Sequence, residues 1–223
     1  MSDQNPFDPT ELIIKQSAEI AKQFVGEFSK EPMAALGGIL TDKINHWRFK
    51  NRVKQLLDAK DFLQSKGITP EKIAPDIFIP LLEAGSNTSD EMLSKMFSSL
   101  LASHLDPTTH DKIHQSYSQI LQQLSSLDVK ILSDYYYCVL DKQGNYRSLG
   151  VQLANCTGTY NITESEALMS FQNIWRLGIC DHGPDALHQM NREKQICFTD
   201  FGWSFIQACH KLEQSSLDRH SCV

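Results

Sequence analysis

Thr163-Glu164-Ser165-Glu166 opens a stretch in which Ala167, Leu168, Phe171, Ile174 and Trp175 recur at helical spacing, and Leu177-Gly178-Ile179-Cys180 closes it. The opening is a capping box, in which a threonine and a glutamate three residues later each bond the other's backbone N–H. A polar stretch runs on to Lys194. Ile196-Cys197-Phe198-Thr199-Asp200-Phe201-Gly202 then leads into a last helix carrying Phe205, Ile206 and Cys209, with Thr199 as its cap. Upstream, Val129, Leu132 and Tyr136 form an apolar stripe, Asp141-Lys142-Gln143-Gly144-Asn145 reads as a turn, and Leu149, Val151 and Leu153 read as a short strand or a short helix. Helix, short element, helix, strand, polar turn, strand, helix is the order of a winged helix, in which the Leu177-Gly178-Ile179 turn leaves the helix for a wing strand.

Working back from there, Ser125-Ser126-Leu127-Asp128 marks a junction and a soft subdomain boundary. Before it the pattern is helical. Asp8-Pro9-Thr10-Glu11 reads as a helix start, and Ile13, Ser17, Ile20, Ala21, Phe24 and Phe28 fall on one stripe. Its polar side mixes both charge signs, which favours packing on the body of the protein over a membrane surface. Ser29-Lys30-Glu31-Pro32 interrupts, and a second helical stretch runs from about Met33 to Lys66. Its seam is Leu36, Leu40, Ile44 and Trp47, continued by Phe49, Val53, Leu56, Leu57 and Phe62. Gly37-Gly38 weakens it, at about 1 kcal/mol per glycine against alanine. Ser65-Lys66-Gly67 reads as its C-terminal cap. Pro75 and Pro80 predict short helices rather than one. Thr88-Ser89-Asp90-Glu91 reads as a capping box for a helix with Met92, Met96, Leu100 and Leu101 buried, ending near Asp106-Pro107. A further helix is expected from about Thr109 to Leu124, with Ile113, Tyr117, Ile120 and Leu121 inward.

The expected fold is therefore mainly α: an N-terminal amphipathic helix (1–30), a helical bundle (31–125), a winged-helix-like C-terminal subdomain with a small β-hairpin (126–215) and a tail (216–223). With 223 residues the chain is long enough for a substantial core. Its 41% apolar and 22% charged residues are ordinary for a globular protein. The formal net charge is −6, and it is spread evenly: residues 1–125 carry 13 Lys+Arg against 16 Asp+Glu, and residues 126–223 carry 8 against 11. Neither part has the basic excess of an ordinary nucleic-acid binder. The six cysteines, Cys138, Cys156, Cys180, Cys197, Cys209 and Cys222, form no C-x-x-C pair, which argues against a zinc ribbon. The N-terminus carries no signal-sequence pattern, and no apolar run reaches the length of a membrane span. The expectation is a cytoplasmic protein with reduced thiols.

Several segments resemble the Abi-alpha (abortive infection alpha) family. They begin at Ala35-Leu36-Gly37-Gly38-Ile39-Leu40-Thr41-Asp42-Lys43-Ile44 and Trp47-Arg48-Phe49-Lys50-Asn51, and continue through Gly67-Ile68-Thr69-Pro70 and Ile79-Pro80-Leu81-Leu82-Glu83-Ala84. Leu100-Leu101-Ala102-Ser103-His104-Leu105-Asp106-Pro107 carries the resemblance most strongly. It extends over His114-Gln115-Ser116-Tyr117, Leu124 to Leu132, Arg176-Leu177-Gly178 and Phe198 to Gly202. Gly85-Ser86-Asn87-Thr88 lacks the acidic residue common in the family, and Met96-Phe97 stands where Trp-Ala is frequent. The resemblance implies a role in abortive infection of phage-attacked bacteria and supplies no catalytic residue.

Lys43, Trp47, Arg48, Lys50, Arg52 and Lys54 make the most charged stretch, with five Lys/Arg and no acid. One reading is an anion or partner contact, with Trp47 or Phe49 stacking or inserting. The other, which we favour, is a solvated face whose arginines pair with the chain's acids. His104, Asp106, His110 and His114 lie close together, and His110 and His114 have the i, i+4 spacing of ligands on a helix. Asp111 follows His110 where a metalloprotease motif needs Glu, so we assign no metal and read His114 as capping or packing at the start of its helix. Glu83, after an apolar run, reads either as a buried acid with a perturbed pKa or, as we favour, as a structural partner of Arg48 or Arg52. No phosphate loop, nucleophile elbow or paired-carboxylate signature occurs, so no catalytic or cofactor-binding residue is assigned. Cys180 and Cys197 belong on neighbouring strands as buried thiols.

In the winged-helix reading, residues 163–177 are the helix that reads DNA. They carry Glu164 and Glu166 against Arg176 alone. Acids oppose phosphate contact, so the expected use is protein contact. The expected protein is a non-enzymatic defence protein acting on a protein partner or on further copies of itself. A DNA-binding regulator and a membrane-acting effector using the N-terminal helices are the alternatives.

Overall fold

The computed structural model describes residues 46–141, 150–182 and 195–213. The amphipathic helix expected before residue 30, Gly37-Gly38, Lys43, the 142–145 part of the expected turn, the polar stretch 183–194 and the tail 216–223 lie outside them. The chain divides into two compact units, one of Met1–Asp111 with Lys211–Val223 and one of Lys112–His210.

In the first unit, α1 (His46–Ser65) and α2 (Pro75–Ser86) both pack on α3 (Glu91–Leu105), and on each other. Val53, Leu56, Ala59 and Leu63 form the buried side of α1, with Phe49, Leu57 and Phe62 at its margins. The helix ends as read from sequence. Gly67 takes φ +63°, and Ile68 N–H reaches back to Leu63 O at 2.9 Å, the geometry of a glycine-terminated helix.

Three expectations change here. Pro75 occupies the first turn of α2, where its missing N–H costs nothing, but Pro80 sits inside one continuous helix. Phe78, Leu81 and Leu82 are buried on either side of it, and their packing offsets the lost hydrogen bond. The cap of α3 is Asp90, not Thr88: Asp90 accepts from Leu93 N–H at 2.9 Å, while Thr88 Oγ1 accepts from Asp90 N–H at 3.1 Å. Finally, α3 is no one-sided helix. From Leu93 to Leu105 every residue but Lys95 is buried. Ser94, Ser98, Ser99 and Ser103 are the small residues that let neighbours close on it, and Ser98 Oγ donates to Ser94 O and to Asp58 Oδ2, both at 3.2 Å.

The single helix expected over 109–124, which spans the end of the first unit and the start of the second, is broken. A 3-10 turn at His110–Lys112 precedes non-helical residues 113–116, and α4 spans only Tyr117–Gln122. Tyr117, Ile120 and Leu121 are buried as expected, but Ile113 is only half-buried. Then follow α5 (Ser126–Asp141), β1 (Val151–Gln152), α6 (Leu153–Tyr160), α7 (Glu164–Arg176), β2 (Cys180–His182), β3 (Gln195–Phe198) and α8 (Asp200–Cys209). The strands form an antiparallel sheet in the order β1-β3-β2, with Val151 opposite Ile196 and Cys180 opposite Phe198. The expected hairpin is thus joined by a third strand, and the 151–153 ambiguity resolves as both: two strand residues, then a helix. Val129, Leu132 and Tyr136 of α5, Phe171 and Ile174 of α7, Ile196 of β3 and Phe205 of α8 make the core. Tyr135 stacks on Phe198 with ring centroids 4.3 Å apart.

The turn quoted at the outset fixes how α7, β2 and α8 meet. Gly178 has φ +72°, ending α7. Thr199 Oγ1 accepts from Gly202 N–H at 2.9 Å and donates to Gly178 O at 2.8 Å, so one hydroxyl caps α8 and ties it to the end of α7. A Cβ on Gly202 would fall 1.7 Å from Ile179 O, so only glycine permits this approach.

Candidate contact faces

The basic stretch divides across α1. A helix turns 100° per residue, so Trp47, Lys50 and Lys54 share its outer side while Arg52 turns inward with Leu56 and Ala59. Trp47 is 47% exposed, Lys50 and Lys54 are exposed, Arg48 is half-buried and Arg52 is only 4% exposed. Arg48 and Arg52 are four residues apart and neighbours on one face, which turns inward at Arg52. Beside them Gln55 is buried, its amide filling the space where a Cβ on Gly85 would stand. Asn51 Nδ2 donates to Ser86 O and Thr88 O at 3.1 and 3.0 Å, closing the end of α2. Glu83 is exposed, which corrects the reading of a buried acid: Leu81 and Leu82 before it face inward and Glu83 itself does not.

A groove of about 490 Å³ is lined by Lys54 together with Asp58, Asp61, Phe62, Glu91 and Lys95 among others. Burial pushes the Asp58 carboxyl up, against the opposing pull of Lys54 and the Ser98 hydrogen bond. Lys95 pairs with Glu91 at 3.5 Å across one helical turn. Asp58, Asp61, Glu91 and Glu213 line it against Lys54 and Lys95, so the groove is net acidic.

The histidines do not form a metal site among the described residues, where no group of three or more His, Cys, Asp or Glu is placed to hold an ion. His110 and His114 do not share a helix. His110 lies 2.9 Å from Asp111 Oδ1 and 3.3 Å from Glu71 Oε2. His114 Nδ1 accepts from Ser116 N–H at 3.2 Å, immediately ahead of α4, and its ring meets Phe201 edge-on, so it caps and packs as expected. His104 is buried, and burial with the nearby His110 lowers its pKa to about 4.

Two polar constellations were invisible in the sequence pattern. Asp128, 1% exposed, accepts from Ser125 N–H and Asn173 Nδ2, both at 2.8 Å, and from Ser170 Oγ, joining the first turn of α5 to the middle of α7. Ser133 Oγ lies 2.9 Å from His210 Nε2, whose Nδ1 lies 3.1 Å from Ile206 O. A serine beside a histidine suggests a nucleophile and its base. Here both are at most 2% exposed, so the pair serves as packing between α5 and the end of α8. Cys180 and Cys197 lie on adjacent strands and, with Cys156 and Cys209, are buried and unbridged. Burial pushes the Cys180 and Cys209 thiols well up, which suppresses the reactive thiolate.

The outer side of α7 carries Ser165, Met169, Gln172 and Arg176 in one line, with Glu164 and Glu166 at its start. Met169 is 63% exposed. Glu166 reaches back to Thr163 N–H at 2.8 Å, which holds its carboxyl below the usual range and completes the capping box. Arg176, the helix's one cation, donates to Gln123 Oε1 at 3.0 Å and Asn173 Oδ1 at 2.8 Å. The face is apolar at its middle and acidic at its start.

A family model described as abortive infection alpha matches residues 48–209. No curated protein and no solved structure matches the chain.

Proposed function

The chain belongs to the abortive infection alpha family, and from that premise we propose that it is a cytoplasmic, non-catalytic phage-defence protein of bacteria that works by protein contact. The observation that carries the contact reading is the outer side of α7. In a winged helix, the fold to which the element order and the β1-β3-β2 sheet point, this helix is the one that reads DNA. Its exposed Met169 and its two acids suit a protein surface and oppose phosphate. Among the described residues no helix is long and apolar enough to cross a membrane.

The test is plating a panel of phages on cells carrying the wild-type chain, the Met169→Glu variant or an empty vector, with protein levels matched. Wild type is expected to lower plaque counts and the variant to lose that protection. A wild type that restricts no phage sinks the defence role, and a fully protective variant removes the α7 face from it. The same helix order also supports a second reading, a DNA-binding regulator. A salt-dependent gel shift supports it, and absence of binding at low salt ends it.

A further inference from the structure

Arg176 ends the outer line of α7, about two turns beyond the exposed Met169. Its guanidinium is held by two neutral amides. Nη1 donates to Gln123 Oε1 at 3.0 Å and Nη2 to Asn173 Oδ1 at 2.8 Å. Each amide has its orientation fixed from behind. Asn173 Nδ2 donates to Gln123 O at 2.9 Å and to Asp128 Oδ2 at 2.8 Å, and Gln123 Nε2 donates to Gln119 O at 3.1 Å. A carbonyl and a carboxylate only accept, so each amide must turn its nitrogen toward them and its oxygen toward Arg176. Asp128, 1% exposed, is in turn held by Ser125 N–H and Ser170 Oγ. A run of hydrogen bonds thus leads from a buried carboxylate to one exposed cation.

Such a clamp orients the guanidinium without neutralising it. Among the described residues Arg176 forms no ion pair, and only two of a guanidinium's five N–H groups are used. The side chain is exposed, so donors remain for an incoming oxyanion. A fork already set in place loses little freedom on binding a planar, two-oxygen acceptor. We propose that Arg176 is the polar pin of the α7 contact face and takes a carboxylate from an acidic segment of a partner protein, with Met169 as the apolar anchor on the same line. The inference rests on the reading that this face makes protein contact, and it names the chemistry of the partner. Gln123, Asn173 and Asp128 act through Arg176 as positioning residues. A carboxylate is favoured over the phosphates of a duplex because α7 offers this one cation and carries Glu164 and Glu166 in its first turn. A duplex backbone calls for several cations.

The experiment is an NMR titration of the full chain carrying isotope-labelled arginine. The probes are a blocked Leu-Glu-Leu-Glu peptide, its Leu-Gln-Leu-Gln twin and a short DNA duplex at low salt. The glutamate peptide is expected to shift the Arg176 side-chain N–H signals to saturation, and the glutamine twin to leave them in place. Gln123→Glu is the decisive variant. It keeps an acceptor for Arg176, and so keeps the clamp, but it neutralises the guanidinium. It is expected to melt no lower than wild type and to bind the glutamate peptide about tenfold more weakly, the worth of one charge-assisted hydrogen bond. A purely structural Arg176 predicts no such loss. Arg176→Gln, at an exposed position, is expected to lose binding likewise and gives the answer if Gln123→Glu folds poorly. The proposal is overturned by a shift that does not saturate, by an equal response to the glutamine twin, or by variants that bind as wild type does. A duplex that displaces the glutamate peptide from Arg176 overturns it in favour of phosphate. Phage plating separates this inference from the one it rests on. Protection lost in Met169→Glu but kept in Gln123→Glu removes the carboxylate and leaves the contact face. Protection lost in both supports the pin, and protection kept in both removes the face itself.

Discussion

Lys211 Nζ lies 2.5 Å from Asp106 Oδ2, in an ion pair whose side chains are 11% and 4% exposed. Thr109 Oγ1 is 2.7 Å from the same ammonium, and Asp106 Oδ1 accepts from Thr108 N–H and Thr108 Oγ1, both at 2.8 Å. Leu212 N–H donates to Ser99 Oγ nearby. Residues 211 and 212 are thereby fastened to the unit that holds the first three helices, although a hundred residues of chain intervene.

Breaking that pair on one side should cost more than removing both charges. Lys211→Met strands a buried carboxylate, and the expected loss is about 3 kcal/mol in urea denaturation. Lys211→Met/Asp106→Asn should recover a large part of it. An unchanged midpoint in the single variant would show that the pair contributes nothing. For Asp106 the sign with pH is that of a depressed carboxylate. Burial pushes its pKa up, but the hydrogen bonds from Lys211 and Thr108 outweigh that and hold it below the ordinary value. Its contribution is present above the unfolded pKa and is lost as pH falls through the lower folded one.

His104 gives a separate window. Its folded pKa, about 4, lies below the ordinary value of 6.5, first because of burial and second because of His110. The folded state keeps it neutral while the unfolded chain takes up a proton, so stability falls as pH drops from about 6.5 to about 4. The shift corresponds to roughly 3 kcal/mol across that range. Unfolding measured from pH 7 to pH 4 should show this slope, and His104→Leu should flatten it. An equal slope in the variant would assign the effect elsewhere.

Gly202→Ala should be among the most damaging small changes in the second unit. The added methyl meets the Ile179 carbonyl, which is backbone and cannot rotate away. The expected cost is about 3 kcal/mol, at the upper end for overpacking. Gly178→Ala meets no atom within 4 Å and suffers only from its positive φ, so it should cost about 1 kcal/mol. Thermal melts that rank the two in the opposite order would refute the close approach.

Asp128→Ala leaves Ser125 N–H, Ser170 and Asn173 without their acceptor, and should lower stability by about 3 kcal/mol. Asp128→Asn keeps one acceptor oxygen and should fall between that variant and wild type. Equal losses in both would mean that charge, not hydrogen bonding, holds α5 to α7.

Much of the second unit was legible from local chemistry. Thr163 with Glu166, Gly178 and Thr199 each act on backbone groups within a few residues, so their neighbours in sequence suffice to read them. The Val129, Leu132 and Tyr136 stripe needed only helical periodicity. Pro80 shows where such reading fails. Proline disrupts a helix locally, but burial of Phe78, Leu81 and Leu82 against other helices outweighs the disruption, and that burial is not local. The region 109–124 fails in the opposite sense, because its apolar spacing ran on through residues that the fold leaves non-helical.

The candidate faces divide the same way. That α1 is basic and that α7 starts with acids were fixed by composition, which folding does not alter. Which of those charges meet solvent was decided only in three dimensions. Arg52 sits four residues after Arg48 and looks equally available, yet packing turns it inward while Lys50 and Lys54 stay outside. Asp128, Ser170 and Asn173, like Asp106 and Lys211, are unremarkable until distant segments meet. The sequence alone determined most of the helices, the turns at Thr163, Gly178 and Thr199, and the charge of each segment, because these depend on neighbours a turn away. The tertiary structure decided exposure and the buried polar pairs, because both depend on which distant groups exclude water from which side.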